Sequence, residues 1–191
     1  MMSVEKPIAI QQHSHAEDQE LAARVSSGDH GAFTTLFERH KSQIYRFCLL
    51  MIGDEAVAKD VYQEVFLNFY RACRTGQVMY NVHGYLLTAA RTRSLNALRT
   101  LRRTVSLEGM EEPTYVVDAA AADTNKHLRE ALASIPPQYR EAFLLCEFEG
   151  YSYEEISTQL NVTRDVVKNR IYRAKQALQK ILRPLLRDDD R

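Results

Sequence analysis

Residues 151–182 constrain the fold most, because they contain signals for two helices separated by a tight turn. Ser152 and Glu155 have the S-x-x-E spacing of a capping box, in which each side chain bonds the backbone N–H of the other residue at the start of a helix. Asn161-Val162-Thr163 interrupts the helical pattern, and Thr163 can cap a second helix. Apolar residues then recur on one narrow face of that helix, at Val167, Ile171, Ala174 and Leu178.

The opposite half of this second helix is polar and basic. On a wheel of about 100° per residue it carries Arg164, Lys168, Asn169, Tyr172, Arg173, Lys175 and Gln176. Cations hold phosphates, whereas Asn, Gln and Arg reach base edges in the major groove. A basic helix face alone is more often a solvated surface. The capped helix and the tight turn in front of this one favour a DNA-reading helix-turn-helix.

Charge is segregated along the chain, although it balances overall. Lys plus Arg and Asp plus Glu number 25 each, so whole-molecule basicity does not indicate a nucleic-acid partner. Residues 65–107 contain seven arginines and no acid, and residues 108–123 contain five acids and no Lys or Arg. Residues 164–187 contain eight basic residues against a single Asp. Two basic segments separated by an acidic spacer are therefore predicted.

Several classes of protein are disfavoured by what the sequence lacks. Cys48, Cys73 and Cys146 include no C-x-x-C pair, which argues against a disulfide framework or a Cys-based zinc site. His13 and His15 lie in a polar segment without a nearby Cys, so we expect neither a metal site nor a cofactor. The chain has no apolar run of about 18 residues and no signal-peptide core. We expect a cytoplasmic protein.

Helical spacing recurs along almost the whole chain, and no segment reads convincingly as a strand. The predicted fold class is all-α, with two small helical domains joined by a flexible acidic linker and a helix-turn-helix in the C-terminal domain. In chain order we predict a disordered lead (1–16), the first domain (17–105), the linker (106–123), the second domain (124–187) and a tail (188–191). A short helix in the first domain is expected to begin near Leu21.

A polar patch is predicted on a helix of the first domain. Asp60, Gln63 and Glu64 stand at i, i+3 and i+4 and point away from a stripe of valines. The spacing suits an acidic docking surface, although a merely solvated helix face is the commoner meaning of such a pattern. No His joins these residues at helical spacing, so catalysis is set aside.

A basic stripe is predicted on the next helix, from about Val82 to Arg103. It contains Arg91, Arg99, Arg102 and Arg103. The preceding loop carries Tyr80, Asn81 and His83, which could accept an extruded base by stacking and edge hydrogen bonds. An ordinary connector is an equally good interpretation of the loop alone.

Two motifs resemble the extracytoplasmic-function class of bacterial RNA polymerase sigma factors. Residues 60–66, D-V-Y-Q-E-V-F, are similar to the family's D-V-x-Q-E-x-F core-binding helix. Residues 153–156, Y-E-E-I, followed by residues 167–174, V-K-N-R-I-Y-R-A, are similar to its y-E-E-I-A…T-V-k-s-R-l-x-R-A run. The motifs stand in the family's order, and the resemblance covers roughly residues 17–187.

The resemblance implies a non-catalytic initiation subunit with two macromolecular partners. It implies binding to the RNA polymerase core, at the clamp coiled coil of the largest subunit and at the flap, with the clamp contacts made by Asp60, Gln63, Glu64 and Phe66. Promoter DNA at the minus-ten element would be held by Tyr80, Asn81, His83, Arg91, Thr92, Asn96, Arg99, Arg102 and Arg103. At the minus-thirty-five element it would be held by Arg164, Asp165, Lys168, Asn169, Tyr172, Arg173 and Lys175.

The resemblance also implies that the acidic linker runs through the RNA exit path and that an anti-sigma factor, often membrane-anchored in this class, controls the chain. Some positions depart from the family. Tyr85 stands where many relatives have Trp, Thr92 and Asn96 replace a common Asn and Asp, and Arg164-Asp165-Val166 replaces the usual start of the recognition helix. These departures bear on promoter sequence rather than on class.

Two other functions fit parts of the sequence. A helix-turn-helix regulator that acts without polymerase would explain residues 151–182, but it has no need of the helix around residues 60–66. An all-helical enzyme or scaffold with an incidental basic tail is disfavoured, because no phosphate loop, metal quartet or nucleophile–base pair is found.

Overall fold

Helices account for nearly all of the described chain. The computed structural model describes residues 8–107 and 124–183, and in these segments it contains eight α-helices and no β-strand. The first four are α1 (Ile8–Ser26), α2 (His30–Ile52), α3 (Glu55–Arg74) and α4 (Val82–Leu107). The others are α5 (Thr124–Ala133), α6 (Pro137–Glu147), α7 (Tyr153–Leu160) and α8 (Arg164–Leu182). The all-α prediction is confirmed.

Some sequence predictions fall outside the described residues. They concern residues 1–7 of the lead, residues 108–123 of the acidic linker, residues 184–187 of the second domain, the tail and the side chain of His13. Within residues 8–107 and 124–183, no helix has both the length and the apolar character needed to cross a bilayer.

Helix α1 begins earlier than predicted, since residues 8–16 are helical rather than part of a disordered lead. Further along α1, a buried carboxylate links this helix to α2. Asp18 is 1 % exposed, its Oδ2 lies 2.7 Å from His40 Nε2, and its Oδ1 accepts a 2.5 Å hydrogen bond from Arg39 Nη1. A buried carboxylate is stable only with such partners. Because the partners lie more than 20 residues away, periodicity cannot reveal the contact.

Helices α1 to α4 form an N-terminal bundle in which α2 packs against the other three. Helix α2 ends at Gly53, whose φ of 90° lies in the left-handed region that glycine adopts without strain. The apolar stripe of α3 is buried at Val61, Val65, Phe69 and Cys73, as its four-residue spacing predicts.

Helices α5 to α8 form a C-terminal bundle in which α8 packs against the other three. Pro136-Pro137 separates α5 from α6, and Pro137 occupies the first position of α6, where a missing N–H is harmless. The apolar face of α8 is buried at Val167, Ile171, Ala174 and Leu178.

The two bundles pack against each other through α2, α5 and α6. Arg140 of α6 is 2 % exposed, and its guanidinium donates to the carbonyl of Met51 in α2 and to those of Ala133 (2.5 Å) and Ile135 (3.0 Å). The bundles also approach each other closely at the end of α2, where a Cβ added to Gly53 would lie 2.9 Å from Ala133 Cβ. The described structure is therefore closed, with the bundles in direct contact.

We predict that Asp18→Asn destabilises the chain in a pH-dependent manner. Burial raises the pKa of the Asp18 carboxyl, but the hydrogen bond and charge of His40, together with Arg39, lower it by more, so the pKa of the folded state lies below the ordinary value. A lowered carboxyl pKa adds stability above the unfolded pKa of about 3.9, and this stability is lost as pH falls through the folded pKa.

Urea denaturation at a series of pH values measures this effect. The destabilisation of Asp18→Asn should be full at neutral pH and should shrink as pH falls below about 4. Glu20→Gln, at an exposed position of the same helix, is the matched control. A deficit that is the same at every pH would contradict the assignment.

Candidate nucleic-acid and protein interfaces

The helix-turn-helix is built by reciprocal caps, as the sequence predicts. Ser152 Oγ accepts from the backbone N–H of Glu155 (3.3 Å), and Glu155 Oε2 accepts from that of Ser152 (2.7 Å). Asn161 ends α7 in the left-handed conformation with φ 51°, and Thr163 Oγ1 accepts from Val166 N–H (3.4 Å) to start α8. Since these contacts are local, the turn geometry follows from nearby residues alone.

The outward face of α8 is exposed along its length. All seven predicted minus-thirty-five residues lie on it: Arg164, Asp165, Lys168, Asn169, Tyr172, Arg173 and Lys175. Tyr172 is 59 % exposed. In the described part of the chain, neither Lys168 nor Asn169 makes a side-chain hydrogen bond or ion pair, so both are available to a ligand.

Three cations of this face are held by their own bundle. Lys175 Nζ lies 2.8 Å from Glu147 Oε1, and this hydrogen bond raises the pKa of Lys175. Arg164 pairs with Glu154 at 3.6 Å. Arg173 donates to the Tyr139 hydroxyl (2.9 Å) and lies over its ring, and its hydrogen bond lowers the pKa of Tyr139. These three cations therefore have partners within their own bundle, and the exposed pair of Arg164 and Glu154 is the weakest of the three contacts.

The polar patch on α3 is exposed, with one exception among its predicted members. Asp60, Gln63 and Glu64 are exposed, and Glu64 pairs with Arg93 of α4. Phe66 is 3 % exposed and packs edge-on against Phe37 at 4.9 Å, so its side chain lies in the core and not on this surface. The sequence motif groups Phe66 with the polar residues, but its own position on the helix wheel places it inside.

An apolar residue that the motif did not single out extends this surface. Leu67 is 47 % exposed, three residues after Glu64 and four after Gln63, so it lies beside both on the helix face. That spacing was visible in the sequence. The exposure of Leu67 follows only from how α3 packs on α2 and α4.

The predicted minus-ten residues do not form one continuous exposed surface. Tyr80 is 76 % exposed, and Asn81 Oδ1 accepts from Gly84 N–H (2.8 Å) at the start of α4. Thr92 donates to the Thr88 carbonyl (2.9 Å) and remains exposed. Exposed residues continue along α4 at Asn96, Arg99, Arg102 and Arg103.

His83 and Arg91 differ from the rest of this set because both face the C-terminal bundle. Arg91 Nε donates to Glu141 Oε1 of α6. His83 Nε2 lies 3.4 Å from Glu149 Oε2, just after α6. Within the predicted minus-ten set, His83 and Arg91 therefore lie at the contact between the bundles, and the other residues lie on an exposed surface.

The described residues were also compared with the requirements of a metal site and of a reactive thiol. Among them, no three His, Cys, Asp or Glu side chains are grouped closely enough to hold a metal ion. Burial raises the pKa of the Cys48 thiol to about 12 and that of Cys73 to about 11, so both are inert at neutral pH.

Comparisons with known proteins agree with the two-part architecture. The sigma-70 region 2 family model matches residues 36–104, and the sigma-70 region 4 model matches residues 126–178. RNA polymerase sigma-H factor of Pseudomonas aeruginosa is 29% identical over 189 residues, which cover 90% of this chain and 97% of that protein. The ECF RNA polymerase sigma factor SigE of Mycolicibacterium smegmatis is 30% identical over 169 residues, covering 82% and 65% respectively.

A solved structure shares the fold. The sigma factor RpoE of Bartonella quintana, in complex with the anti-sigma factor NepR, superposes with a TM-score of 0.65 at 20% sequence identity, covering 79% of this chain and 96% of that one. The chain belongs to the sigma-70 family of RNA polymerase sigma factors, in its extracytoplasmic-function (ECF) class.

We predict that Ser152→Ala lowers the free energy of unfolding by about 1 kcal/mol, because the first turn of α7 loses its side-chain cap. Chemical denaturation measures the loss. Ser157→Ala in the same helix is the control, and it should be neutral or slightly stabilising because Ala has the higher helix propensity. Equal effects from the two substitutions would show that the capping box does not stabilise the motif.

Proposed function

We propose that this chain is a dissociable initiation subunit that binds core RNA polymerase, selects promoters and opens them, with no chemistry of its own. The observation that carries the proposal is the presence, on one chain, of an exposed Asp60, Gln63 and Glu64 face and a separate helix-turn-helix with an exposed reading face. The first suits a protein partner, and the second suits duplex DNA.

The C-terminal bundle anchors the duplex at the minus-thirty-five element. Its reading face offers Lys168 and Asn169 without internal partners, and it offers Arg173 already oriented by Tyr139. Cations there hold the phosphates and set the register, while Asn169 reaches base edges in the major groove.

The N-terminal bundle opens the minus-ten element. Tyr80, at 76 % exposure, offers a stacking surface for an extruded base, and Arg99, Arg102 and Arg103 offer cations to the backbone of the separated strand. Unpairing bases costs a few kcal/mol, so melting requires the single strand to be held while the duplex is anchored elsewhere. Two DNA surfaces on one chain meet that requirement.

The α3 patch, formed by Asp60, Gln63, Glu64 and Leu67, is the surface that binds the polymerase. Asp60 and Glu64 give it negative charge that complements a basic surface such as the clamp coiled coil, and Leu67 adds apolar area beside them. Phe66 contributes by fixing the orientation of α3 from inside the core. The flap is expected to hold the C-terminal bundle, and the acidic linker is expected to follow the RNA exit path.

From the class we infer that an anti-sigma factor controls this chain, that this factor is membrane-anchored and that the chain acts in the cytoplasm. A structural neighbour of this chain is a sigma factor in complex with an anti-sigma factor. Such a partner would act by covering the α3 patch or the two DNA surfaces.

We predict that Gln63→Ala combined with Glu64→Ala abolishes association with core polymerase and leaves the fold intact, because both side chains are exposed and outside the core. Co-purification with core enzyme and circular dichroism measure the two effects. Glu20→Ala combined with Gln179→Ala removes the same residue types from exposed positions elsewhere. Undiminished association of the first variant would favour a regulator that acts without polymerase.

We predict that Asp165→Ala changes base preference at the minus-thirty-five element. An acid at the front of a DNA-facing helix repels phosphate but can accept a hydrogen bond from cytosine N4. Its loss should therefore raise general affinity and reduce discrimination at one base pair by about 1 kcal/mol or more. Binding to a panel of duplexes with single base changes tests this, and unchanged preference at every position would refute it.

A further inference from the structure

Val166 places an aliphatic side chain on the exposed face of α8. It is 39 % exposed, whereas the four residues of the buried apolar stripe on the same helix are at most 6 % exposed. Among residues 124–183, which the structure describes, the large hydrophobic side chains left exposed are Val166 and Tyr172. The Tyr172 hydroxyl has a polar contact, since it accepts a 2.5 Å hydrogen bond from Gln176 Nε2. The side chain of Val166 has no polar atom to offer.

The stability of α8 does not explain the presence of Val166. It is the third residue of the helix, and its backbone N–H donates to Thr163 Oγ1 at 3.4 Å. At the same position of α7, Glu155 returns a hydrogen bond to the N–H of the capping residue, which Val cannot do. Val also has a lower helix propensity than Ala, because its branched Cβ restricts χ1. Its side chain lies outside the apolar core that the described helices form. Local stability therefore favours Glu or Ala at this position.

Polar side chains suited to reading bases lie beside Val166. Asn169 is its neighbour at i+3 on the helix, and it is exposed without a hydrogen bond or ion pair in the described part of the chain. Asp165 precedes Val166 and is also exposed. In helix-turn-helix proteins the first residues of the second helix contact the edges of the bases. Val166 therefore lies among the residues positioned to enter the major groove.

An aliphatic side chain in the major groove has one complementary partner. Among the four bases, thymine alone presents a methyl group there, at C5, and apolar side chains contact it. A phosphate gains nothing from Val, because the side chain offers no donor and displaces the water that solvates the oxygens. Asn169 suits adenine, since an Asn amide forms two hydrogen bonds with N7 and N6. The two neighbouring residues therefore both favour A·T pairs.

We propose that Val166 determines specificity at the minus-thirty-five element by contacting the 5-methyl group of a thymine. This inference rests on the proposed function, because it assumes that α8 enters the major groove of that element. Residues at i and i+3 have Cβ atoms about 5–6 Å apart, and successive base pairs are about 3.4 Å apart, so the thymine lies within about two base pairs of the pair that Asn169 contacts.

The test removes the methyl groups of the two partners one at a time. The full chain, assembled with core polymerase, first selects promoters from a pool of duplexes of random sequence. Each thymine of the selected minus-thirty-five element is then replaced by deoxyuridine, which lacks the 5-methyl group and keeps every hydrogen-bonding atom. Competition binding gives the preference for thymine over uracil at each position.

Wild-type chain should bind about fourfold more tightly with thymine than with uracil at one position, the factor expected for the burial of one methyl group. Val166→Ala should abolish that preference and leave the other positions unchanged. Asn169→Ala should relax base choice beside this position, which locates the two contacts relative to each other. Val162→Ala is the matched control, because Val162 lies in the turn and packs against the core, and this variant should keep the preference.

Equal binding of thymine and uracil at every position would overturn the proposal. A preference that survives Val166→Ala would also overturn it, because another residue would then contact the methyl group. If Val166→Ala lowers transcription but leaves duplex binding and the preference unchanged, Val166 belongs to a contact with protein instead. Circular dichroism checks the fold of this variant, and Val166→Thr, which keeps the shape of Val and exchanges one methyl group for a hydroxyl, should weaken the same preference.

The selection step separates this inference from the function on which it rests. If the assembled holoenzyme selects an element and starts transcription from it, but no thymine preference depends on Val166, the methyl contact is wrong and the initiation function stands. If the holoenzyme selects no element, the initiation function is wrong and the inference falls with it.

Discussion

The arrangement of the whole molecule depends on the buried guanidinium of Arg140. Helix α2 ends with carbonyls that have no partner within the helix, and Arg140 satisfies that of Met51 while also binding the carbonyls of Ala133 and Ile135 around the turn from α5 to α6. A charge at 2 % exposure needs hydrogen-bond partners, and here both Nη atoms of Arg140 donate to backbone carbonyls. These bonds link the end of α2 to the start of α6, and the contact between the bundles is built around them.

The contact between the bundles shows where some of the balancing charges lie. Equal numbers of acids and bases say nothing about a partner, but basic residues of the N-terminal bundle lie opposite acids of the C-terminal bundle when the chain is closed. The outward face of α8 is different, because its cations pair within their own bundle or remain unpaired. The two surfaces proposed to bind DNA therefore differ, because the outward face of α8 is exposed whereas His83 and Arg91 on α4 contact the other bundle.

The features of the fold that could be predicted from the sequence are those formed by residues close together in the chain. The capping box of Ser152 and Glu155, the Thr163 cap and the apolar stripe of α8 each involve residues within a few positions of one another, and all were found as the sequence indicates. Asp18 with His40, Arg91 with Glu141 and Arg140 with Met51 are separated by 22, 50 and 89 residues. No spacing in the sequence encodes such pairs, which is why the contact of Arg91 with the C-terminal bundle could not be anticipated.

The pair of Arg91 and Glu141 contributes more to the position of the contact between the bundles than to its stability. Burial raises the pKa of the Glu141 carboxyl, and the charge and hydrogen bond of Arg91 lower it by less, so the ionised form gains less from Arg91 than it loses by leaving water. Net stabilisation must therefore come from the carbonyl bonds of Arg140 and from apolar contact.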